Sequence, residues 1–310
     1  MPAKIVITEF MDETAVKDLG RDFDVVYDPA LVDQEDRLFA ELADAQAIIV
    51  RNRTQVRAHL LAAASNLKTV GRLGVGLDNI DLDACKQKGI SVYPASGAND
   101  LSVAEYVLTT AAALLRTAYF GQARMIAGEW PRQEMQGEEC AGKVLGLVGF
   151  GSIARQTADK ARTLGMSIAA MDPFVSADDP VWSGVDRCDS LENLLNVADV
   201  LSLHVPLTDQ TKNMIDANAM AKMKSGSIVI NAARGGVVDE AALAASLKSG
   251  HLGGAALDVF ASEPLSAEDG AKFAGIPNLI LTPHIAGVTQ EANIRVSALT
   301  AQNVRNVLER

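Results

Sequence analysis

The stretch Val144-Leu-Gly-Leu-Val-Gly149-Phe-Gly-Ser-Ile-Ala154 decides the fold expected for this chain. An apolar run typical of a buried strand ends at Gly149, and the residues from Ser152 onward are typical of a helix. Gly149 permits a tight turn, and Gly151 lets a ligand approach the backbone where the helix begins. The stretch therefore predicts a strand, a glycine turn and a helix N-terminus that binds a pyrophosphate.

The residues after this helix strengthen the prediction of a nucleotide site. Residues 166–171 form a second apolar run, and Asp172 ends it 18 residues beyond Ala154. A carboxylate at about this distance accepts hydrogen bonds from an adenosine ribose and repels a 2′-phosphate. We therefore expect NAD rather than NADP as the cofactor. The predicted cofactor contacts of this region are Gly149, Gly151, Ser152, Ile153 and Asp172.

Strand-like and helix-like segments alternate along almost the whole chain, which favours an α/β fold with parallel sheets. The first third contains strand patterns near residues 5–8, 24–27, 47–50, 69–73 and 91–93, and a second series runs from 143 to about 283. A long apolar helix is expected over 102–127, and a last helix over 289–310. We predict two doubly wound, Rossmann-like domains, with the long helix crossing from the first to the second.

Composition and charge exclude several classes of protein. The chain has 310 residues, 48% of them hydrophobic and 22% charged, which indicates a folded protein. A formal net charge of −11 argues against a nucleic-acid partner. The three cysteines are odd in number and far apart, which fits reduced thiols and no metal site. With no leader pattern and no membrane-length apolar run, we expect a cytoplasmic protein without a membrane partner.

Three polar residues in the second half each follow an apolar run of strand type: Arg234, Glu263 and His284. The preceding runs begin at Gly226, Gly254 and Asn278. Because parallel sheets bind ligands beyond the carboxyl ends of their strands, we expect the three side chains to gather near the nucleotide.

This trio suits hydride transfer next to a carboxylate. A guanidinium such as that of Arg234 pairs a carboxylate with two hydrogen bonds, and the small residues Ala232 and Ala233 would let the cofactor come close. The His284 imidazole can exchange a proton with a hydroxyl or carbonyl oxygen, and Glu263 would hold the ring. Each residue alone is more often structural, so the prediction depends on their occurring together.

Four motifs together resemble the D-isomer-specific 2-hydroxyacid dehydrogenases along nearly the whole chain. The motifs are Gly149-Phe-Gly-Ser-Ile-Ala154, Asn231-Ala-Ala-Arg-Gly235, Ala256-Leu-Asp-Val-Phe-Ala-Ser-Glu-Pro264 and Thr282-Pro-His-Ile-Ala-Gly287. The resemblance implies an NAD-dependent enzyme whose active-site cleft lies between the two domains. It implies a substrate domain of residues 1–98 plus 286–310 and an NAD-binding domain of residues 99–285. It also implies a homodimer through the region 102–127.

The resemblance also implies roles for individual residues. The arginine of the family grips the substrate carboxylate, the histidine donates the proton, and the glutamate orients the histidine; these roles fall to Arg234, His284 and Glu263. The aspartate of the family contacts the nicotinamide carboxamide, and it corresponds to Asp258. His204, at the end of a strand pattern, is interpreted as structural or as lining the cofactor cleft.

Within the family, the first half of the chain most resembles phosphoglycerate dehydrogenases. The matching stretches are Ile48-Ile-Val-Arg-Asn-Arg-Thr54 and Val70-Gly-Arg-Leu-Gly-Val-Gly-Leu-Asp-Asn-Ile-Asp81. The resemblance implies that Val75 and Gly76, in the loop 74–76, offer backbone N–H groups to the substrate carboxylate. It implies that Arg51 binds a distal phosphate, with Arg53 beside it and Arg132 reaching across from a partner subunit.

The identity of the substrate stays open at this point. Val288 replaces the small residue that the family has after its histidine motif, and the regulatory domain of many phosphoglycerate dehydrogenases is not present in these 310 residues. The prediction is a D-configured 2-hydroxy acid with a distal anion, of the 3-phosphoglycerate type. The alternatives are (S)-3-sulfolactate dehydrogenase, a glyoxylate or hydroxypyruvate reductase, and, from another class, a nucleotide-sensing corepressor.

Overall fold

A computed structural model describes residues 2–310, which form two compact units. The first unit joins the N-terminal part of the chain, through Asn99, to Val288–Arg310. The second unit is Asp100–Gly287. Among residues 2–310, no helix combines the length and the apolar character needed to cross a membrane.

The sheet of the first unit has five parallel strands. They are β1 (Lys4–Ile7), β2 (Asp24–Tyr27), β3 (Ala47–Val50), β4 (Thr69–Arg72) and β5 (Ser91–Pro94). Their order across the sheet is β2-β1-β3-β4-β5, a doubly wound order that reverses direction beside β1. All five strands were predicted. The apolar pattern is clearest in the interior strands β1 and β3, because a strand covered on both faces is largely apolar.

Helices cover both faces of this sheet. Those between the strands are α1 (Glu13–Leu19), α2 (Glu35–Leu42), α3 (Ala58–Ala63) and α4 (Leu82–Gln87), with a 3₁₀ turn at Pro29–Asp33. One apolar core contains residues of α2, α3 and α4, and a second, on the opposite face, contains residues of α1. The strands of the sheet are therefore enclosed by side chains on both sides.

The sheet of the second unit has seven parallel strands. They are β6 (Val144–Val148), β7 (Ser167–Met171), β8 (Asp186–Arg187), β9 (Val200–Leu203), β10 (Ile228–Asn231), β11 (Gly254–Leu257) and β12 (Leu279–Leu281). Their order is β12-β11-β10-β9-β6-β7-β8, so the winding reverses between β6 and β9. Ligands of such sheets bind at this reversal, beyond the carboxyl ends of the strands.

The helices of the second unit pack on both sides of its sheet. They are α5 (Asp100–Arg116), α6 (Gln122–Ile126), α7 (Ser152–Thr163), α8 (Leu191–Val197), α9 (Ala217–Ala221), α10 (Glu240–Lys248) and α11 (Ala267–Gly270), with 3₁₀ turns at Ala118–Gly121, Pro180–Trp182 and Ala271–Phe273. One apolar core combines residues of α5 and α7 with the sheet, and the other combines residues of α8, α9 and α10 with it.

The single helix predicted over 102–127 is wrong in one respect. The helix ends at Arg116, and Thr117 has a left-handed φ of 51° before a 3₁₀ turn and the short helix α6. The carbonyl of Leu115 accepts the N–H of Glu138, and the Thr117 hydroxyl lies 3.3 Å from the carbonyl oxygen of Met135. A returning segment thus takes the hydrogen bonds that would have continued the helix, and an apolar pattern cannot reveal this.

The last helix, α12 (Gln290–Leu308), belongs to the first unit. Thr289 caps its N-terminus by accepting the N–H of Ala292. Its buried residues, among them Val296 and Val304, join the core on the α1 face of the five-stranded sheet. The terminal helix therefore packs on the sheet formed by the first half of the chain.

Candidate active site

The glycine turn leaves a helix N-terminus open to a ligand. Gly149 has a φ of 86°, and a Cβ on it would lie 2.5 Å from the carbonyl oxygen of His204, so only glycine fits. Gly151 precedes α7, and a Cβ there would meet no atom within 4 Å. The N-cap residue of α7 is Gly151, which has no side chain to cap the helix, whereas the side chains of Ser190 and Asp239 cap α8 and α10. The first N–H groups of α7, at Ser152 and Ile153, are therefore suited to an anion.

Asp172 lies beside this turn, as the spacing predicted. Its two carboxylate oxygens accept the N–H groups of Phe150, at 2.8 Å, and Phe174, at 2.9 Å. The side chain remains partly exposed, and each oxygen keeps a lone pair that a ribose hydroxyl could use. The residues present thus fit the adenosine half of a dinucleotide.

His204 lies at the reversal of the sheet, directly after β9. Its Nε2 is 3.0 Å from the hydroxyl of the buried Ser202, and its backbone N–H donates to Val148. Burial lowers the pKa of His204 to about 4, so its ring is neutral at physiological pH. A neutral ring beside Gly149 is better suited to lining a nucleotide site than to donating a proton.

Arg234 lies in a loop that follows β10 and contains the half-buried Ala232 and Ala233. The Asn231 side chain shapes the loop by donating to the Arg234 carbonyl, at 2.9 Å, and accepting the Ala233 N–H, at 3.1 Å. A Cβ on Gly235 would lie 1.7 Å from the carbonyl oxygen of Phe260, so the loop packs against the segment after β11. This close approach brings Arg234 towards Glu263.

Glu263 and His284 form a direct pair. The Nδ1 atom of His284 lies 2.8 Å from one carboxylate oxygen of Glu263, and the other oxygen accepts the Phe260 N–H at 2.9 Å. Because the carboxylate accepts at Nδ1, that nitrogen carries hydrogen and Nε2 is left for exchange with a substrate. The His284 side chain is 46% exposed, so a ligand could reach it.

Several groups act on the charge of Glu263. Burial raises its pKa, but the hydrogen bonds from His284 and Phe260 and the charges of His284 and Arg234 lower the pKa by more. The net effect is a lowered pKa, so the carboxylate is ionised at neutral pH. The three residues predicted to act together are therefore coupled electrostatically.

Asp258 lies directly after β11 and is 1% exposed. Its carboxylate accepts the hydroxyl of Thr282 and the N–H groups of Ile285 and Ala286, and its carbonyl accepts the N–H of His284. Its contact with a nicotinamide carboxamide stays a prediction. The structure adds a role that sequence reasoning missed, because Asp258 holds the backbone on both sides of His284.

The predicted substrate residues of the first unit lie at the carboxyl edge of its own sheet. Arg51 follows β3. Its guanidinium donates to the side-chain Oδ1 of Asn293 at 2.9 Å and lies 5.9 Å from the centre of the Phe10 ring. Val75, which is 37% exposed, and Gly76 follow β4. All of them lie beyond strand ends, where ligands of such sheets bind.

Two neighbouring arginines differ from Arg51. Arg53 pairs with Asp33, and both side chains are exposed. Arg72, the last residue of β4, is paired in register with Val50, so it stands beside the strand that leads to Arg51. Sequence reasoning did not single out Arg72. A cation at a strand end, directly before the loop 74–76, could have marked it as a further candidate for binding an anionic substrate.

The buried carboxylate of Glu9, which is 5% exposed, shapes the loop that bears Arg51. It accepts the four backbone N–H groups of residues 51–54 at 2.8 to 3.2 Å. Burial raises the pKa of Glu9, but these hydrogen bonds lower the pKa by more. Nothing in the sequence around Glu9 indicated this role, because it depends on a contact across more than 40 residues.

Comparison with known proteins agrees with this geometry. Residues 108–286 match the family described as D-isomer specific 2-hydroxyacid dehydrogenase, NAD binding domain. The chain is 56% identical over 304 residues to an (S)-sulfolactate dehydrogenase of Chromohalobacter salexigens, covering 98% of both proteins. It is 38% identical over 304 residues to a D-3-phosphoglycerate dehydrogenase of Archaeoglobus fulgidus, covering 98% of this chain and only 57% of that enzyme.

A solved structure extends the similarity to the fold and the cofactor. The D-lactate dehydrogenase from Aquifex aeolicus, complexed with NAD and lactic acid, has a TM-score of 0.85 and 28% identity, covering 99% of this chain and 95% of that one. The predictions of an α/β fold with two parallel sheets, of NAD as the cofactor and of dehydrogenase activity are confirmed. This chain belongs to the D-isomer-specific 2-hydroxyacid dehydrogenases and is an NAD-dependent oxidoreductase of that family.

Proposed function

We propose that this enzyme interconverts (S)-3-sulfolactate and sulfopyruvate, a D-configured 2-hydroxy acid with a distal anion and its 2-keto acid. The environment of Arg51 carries this proposal. Its guanidinium is half-buried and is held by the neutral side chains of Asn293 and Phe10. Among residues 2–310, no carboxylate forms an ion pair with it, so its charge is available to an anionic group of the substrate.

The burial of Arg51 also supports its proposed role in binding an anionic group of the substrate. Removal from water lowers the pKa of its guanidinium, and the nearby charge of Glu9 raises it by less. A cation that is desolvated in this way is stabilised when an anion binds beside it. A sulfonate is favoured over a phosphate by the 56% identity, over matching full lengths, to a sulfolactate dehydrogenase.

The reaction divides between the cofactor and three side chains of the second unit. NAD, which the N-terminus of α7 and Asp172 would hold, would supply the acceptor for the hydride that leaves the carbinol carbon during oxidation. We assign to Nε2 of His284 the role of accepting the hydroxyl proton as the carbonyl forms, and of returning it in reduction. Glu263 would stabilise the charged imidazole through Nδ1, and Arg234 would pair the carboxylate beside the reacting carbon.

We further infer a cytoplasmic homodimer. Large apolar side chains stand exposed after α5, among them Tyr119 at 73%, Ile126 at 79% and Trp130 at 78%. A second copy of the chain would cover them and would bring Arg132 close to its partner, as the sequence analysis predicted. The three free cysteines fit a reducing compartment. Sedimentation equilibrium measures the assembly, and a monomer at micromolar concentration contradicts this proposal.

The substrate proposal is tested with four 2-keto acids, each assayed with NADH and with NADPH. We expect the highest kcat/KM with sulfopyruvate and NADH, followed by phosphohydroxypyruvate, hydroxypyruvate and glyoxylate. Arg51→Ala should lower kcat/KM for the two distal anions by roughly 10- to 150-fold, since a charge-assisted hydrogen bond contributes about 1.5–3 kcal/mol. For glyoxylate, which has no distal anion, kcat/KM should change little.

The control is Arg37→Ala, because Arg37 pairs with Asp28 on the surface of the same unit. This variant should leave kcat/KM unchanged for all four 2-keto acids. Equal losses for glyoxylate and sulfopyruvate with Arg51→Ala would contradict the distal-anion proposal and favour a glyoxylate or hydroxypyruvate reductase. A preference for phosphohydroxypyruvate would keep the anion site and change its ligand to a phosphate.

A further inference from the structure

The backbone around His284 adopts a conformation that needs external support. His284 has a φ of 56°, in the left-handed region that non-glycine residues rarely occupy. Asp258 supplies the support, because its carbonyl accepts the His284 N–H at 2.8 Å and its carboxylate accepts the next two N–H groups at 2.9 and 2.8 Å. One buried residue thus fixes three successive amides.

This support extends to helix α5 through two hydroxyl groups. The Thr282 hydroxyl donates to Asp258 at 2.6 Å, and the Tyr106 hydroxyl lies 2.6 Å from the Thr282 oxygen. A threonine hydroxyl has one hydrogen, and here that hydrogen goes to the carboxylate. Tyr106 must therefore be the donor to Thr282, and the chain of donors runs from Tyr106 through Thr282 to Asp258.

The protonation of Tyr106 agrees with this direction. Burial raises its pKa, the Thr282 contact lowers it, and the charge of Asp258 raises it again, to a net value of about 12. The phenol therefore keeps its hydrogen at every pH at which the enzyme is handled.

We propose that Tyr106 and Thr282 are positioning residues, which hold His284 in its left-handed conformation by orienting the Asp258 carboxylate. The proposal rests on the proton-transfer role proposed for His284. Neither hydroxyl needs to touch the substrate. Without the Thr282 hydroxyl, the carboxylate loses one of three donors and can rotate, which would weaken its grip on the amides of Ile285 and Ala286.

The decisive variants change one hydroxyl each. Thr282→Val removes a charge-assisted hydrogen bond, and we expect kcat to fall on the order of 10- to 100-fold for every 2-keto acid, with KM nearly unchanged. Thr282→Ser keeps the hydroxyl and should retain activity within about 3-fold. Tyr106→Phe removes a neutral donor and should lower kcat by about 2- to 10-fold.

The matched control is Thr110→Val. Thr110 is buried one turn along α5, and its hydroxyl donates only within the helix, to the carbonyls of Tyr106 and Val107. This variant should lose stability and keep kcat per folded molecule. Two further readouts separate positioning from general stability: the pH profile of kcat, and the amide hydrogen exchange of Ile285 and Ala286, which should quicken in Thr282→Val and not in Thr110→Val.

His284→Ala in the same series separates the two proposals. If His284→Ala keeps full activity, the proposed role of His284 fails. If His284→Ala loses activity while Thr282→Val keeps kcat within 2-fold, or if Thr282→Ser is as impaired as Thr282→Val, the positioning proposal alone is overturned. Should Thr282→Val not fold, Tyr106→Phe decides, since an unchanged kcat and unchanged exchange there also overturn the proposal.

Discussion

Two buried carboxylates hold two loops in the same way, one in each unit. Glu9 follows β1 and accepts N–H groups from the loop after the paired strand β3; Asp258 follows β11 and accepts N–H groups from the loop after the paired strand β12. The first loop presents Arg51 and the second presents His284. In both units a buried carboxylate that follows one strand fixes the backbone of the loop that follows a neighbouring parallel strand.

The two loops differ in what holds the presented side chain. His284 is paired with an ionised carboxylate, Glu263, at 2.8 Å, whereas Arg51 is held by a neutral amide, Asn293, at 2.9 Å. An anionic partner suits a ring that must become charged during proton transfer. A neutral partner leaves the charge of a guanidinium available to a ligand. This contrast agrees with the roles proposed above, proton transfer for the loop of the second unit and anion binding for the loop of the first.

The largest effect should come from His284→Ala. If the second loop does the chemistry, kcat should fall by about 10²–10⁴-fold for every substrate, the range for a positioned proton donor. Stopped-flow and steady-state assays with NADH measure it. His251→Ala, a half-buried histidine of the same unit whose Nε2 contacts the Met220 carbonyl, is the control and should retain kcat. A loss of kcat confined to sulfonated substrates would contradict the assignment of proton transfer to the loop that bears His284.

Glu9→Gln should have the next largest effect, on stability and on the first loop. Replacing an ionised acceptor of four N–H groups by an amide should destabilise the protein by about 2–3 kcal/mol, measured by urea unfolding. KM for sulfopyruvate should rise and KM for glyoxylate should not. Glu35→Gln, an exposed carboxylate of the same unit, should change neither quantity. Equal KM changes for both substrates would contradict separate roles for the two loops.

Arg234→Lys should have a smaller effect, of about 10-fold, on KM for all 2-keto acids. Lysine keeps the charge but cannot form two parallel hydrogen bonds with a carboxylate. The lost bond corresponds to roughly 1.4 kcal/mol. Arg187→Lys, which alters a surface pair with Asp189, is the control. An unchanged KM would place carboxylate recognition on the loop 74–76 instead.

The smallest effect is a pH dependence of stability. Glu9 and Glu263 both have a pKa lowered by folding, so each stabilises the protein above its unfolded value of about 4.5 and loses that contribution as pH falls through the folded value. The Tm difference between wild type and Glu9→Gln, or Glu263→Gln, should therefore shrink below about pH 4.5. The Glu9 difference should be the larger, because Glu263 is one-third exposed. Differences that grow on acidification would contradict these pKa shifts.

Much of the second unit could be predicted from local sequence. The strands that lead to Arg234 and Glu263 are buried on both faces, so their apolar runs are visible without a structure. The edge strand that leads to His284 is only partly buried, but its short run Leu-Ile-Leu is apolar as well. Gly149 and Asp172 were singled out because a glycine turn and a ribose acceptor are expected to need particular residues at particular spacings. The pairing of Glu263 with His284 also followed from the expectation that neighbouring strand ends converge.

The residues that hold these groups in place could not be predicted. Glu9, Tyr106 and Thr282 act through contacts that span 24 to 176 residues, and nothing near them in the sequence marks the partner. The end of α5 at Arg116 was missed for the same reason, since it depends on the returning segment around Glu138.

The α/β alternation and the glycine turn followed from the sequence alone, as did the choice of Arg234, Glu263 and His284 as the candidate reacting side chains, because each depends on residue type and spacing within a few dozen positions. The three-dimensional structure was needed to show that Asp258 accepts the amides around His284, that Arg51 donates to the neutral amide of Asn293 and that Arg53 pairs with Asp33. Those facts depend on which strand ends are adjacent and on which polar groups lose water there. Hydrogen bonding and desolvation depend on which groups are adjacent in the folded protein, and a local sequence pattern does not show which distant residues become neighbours.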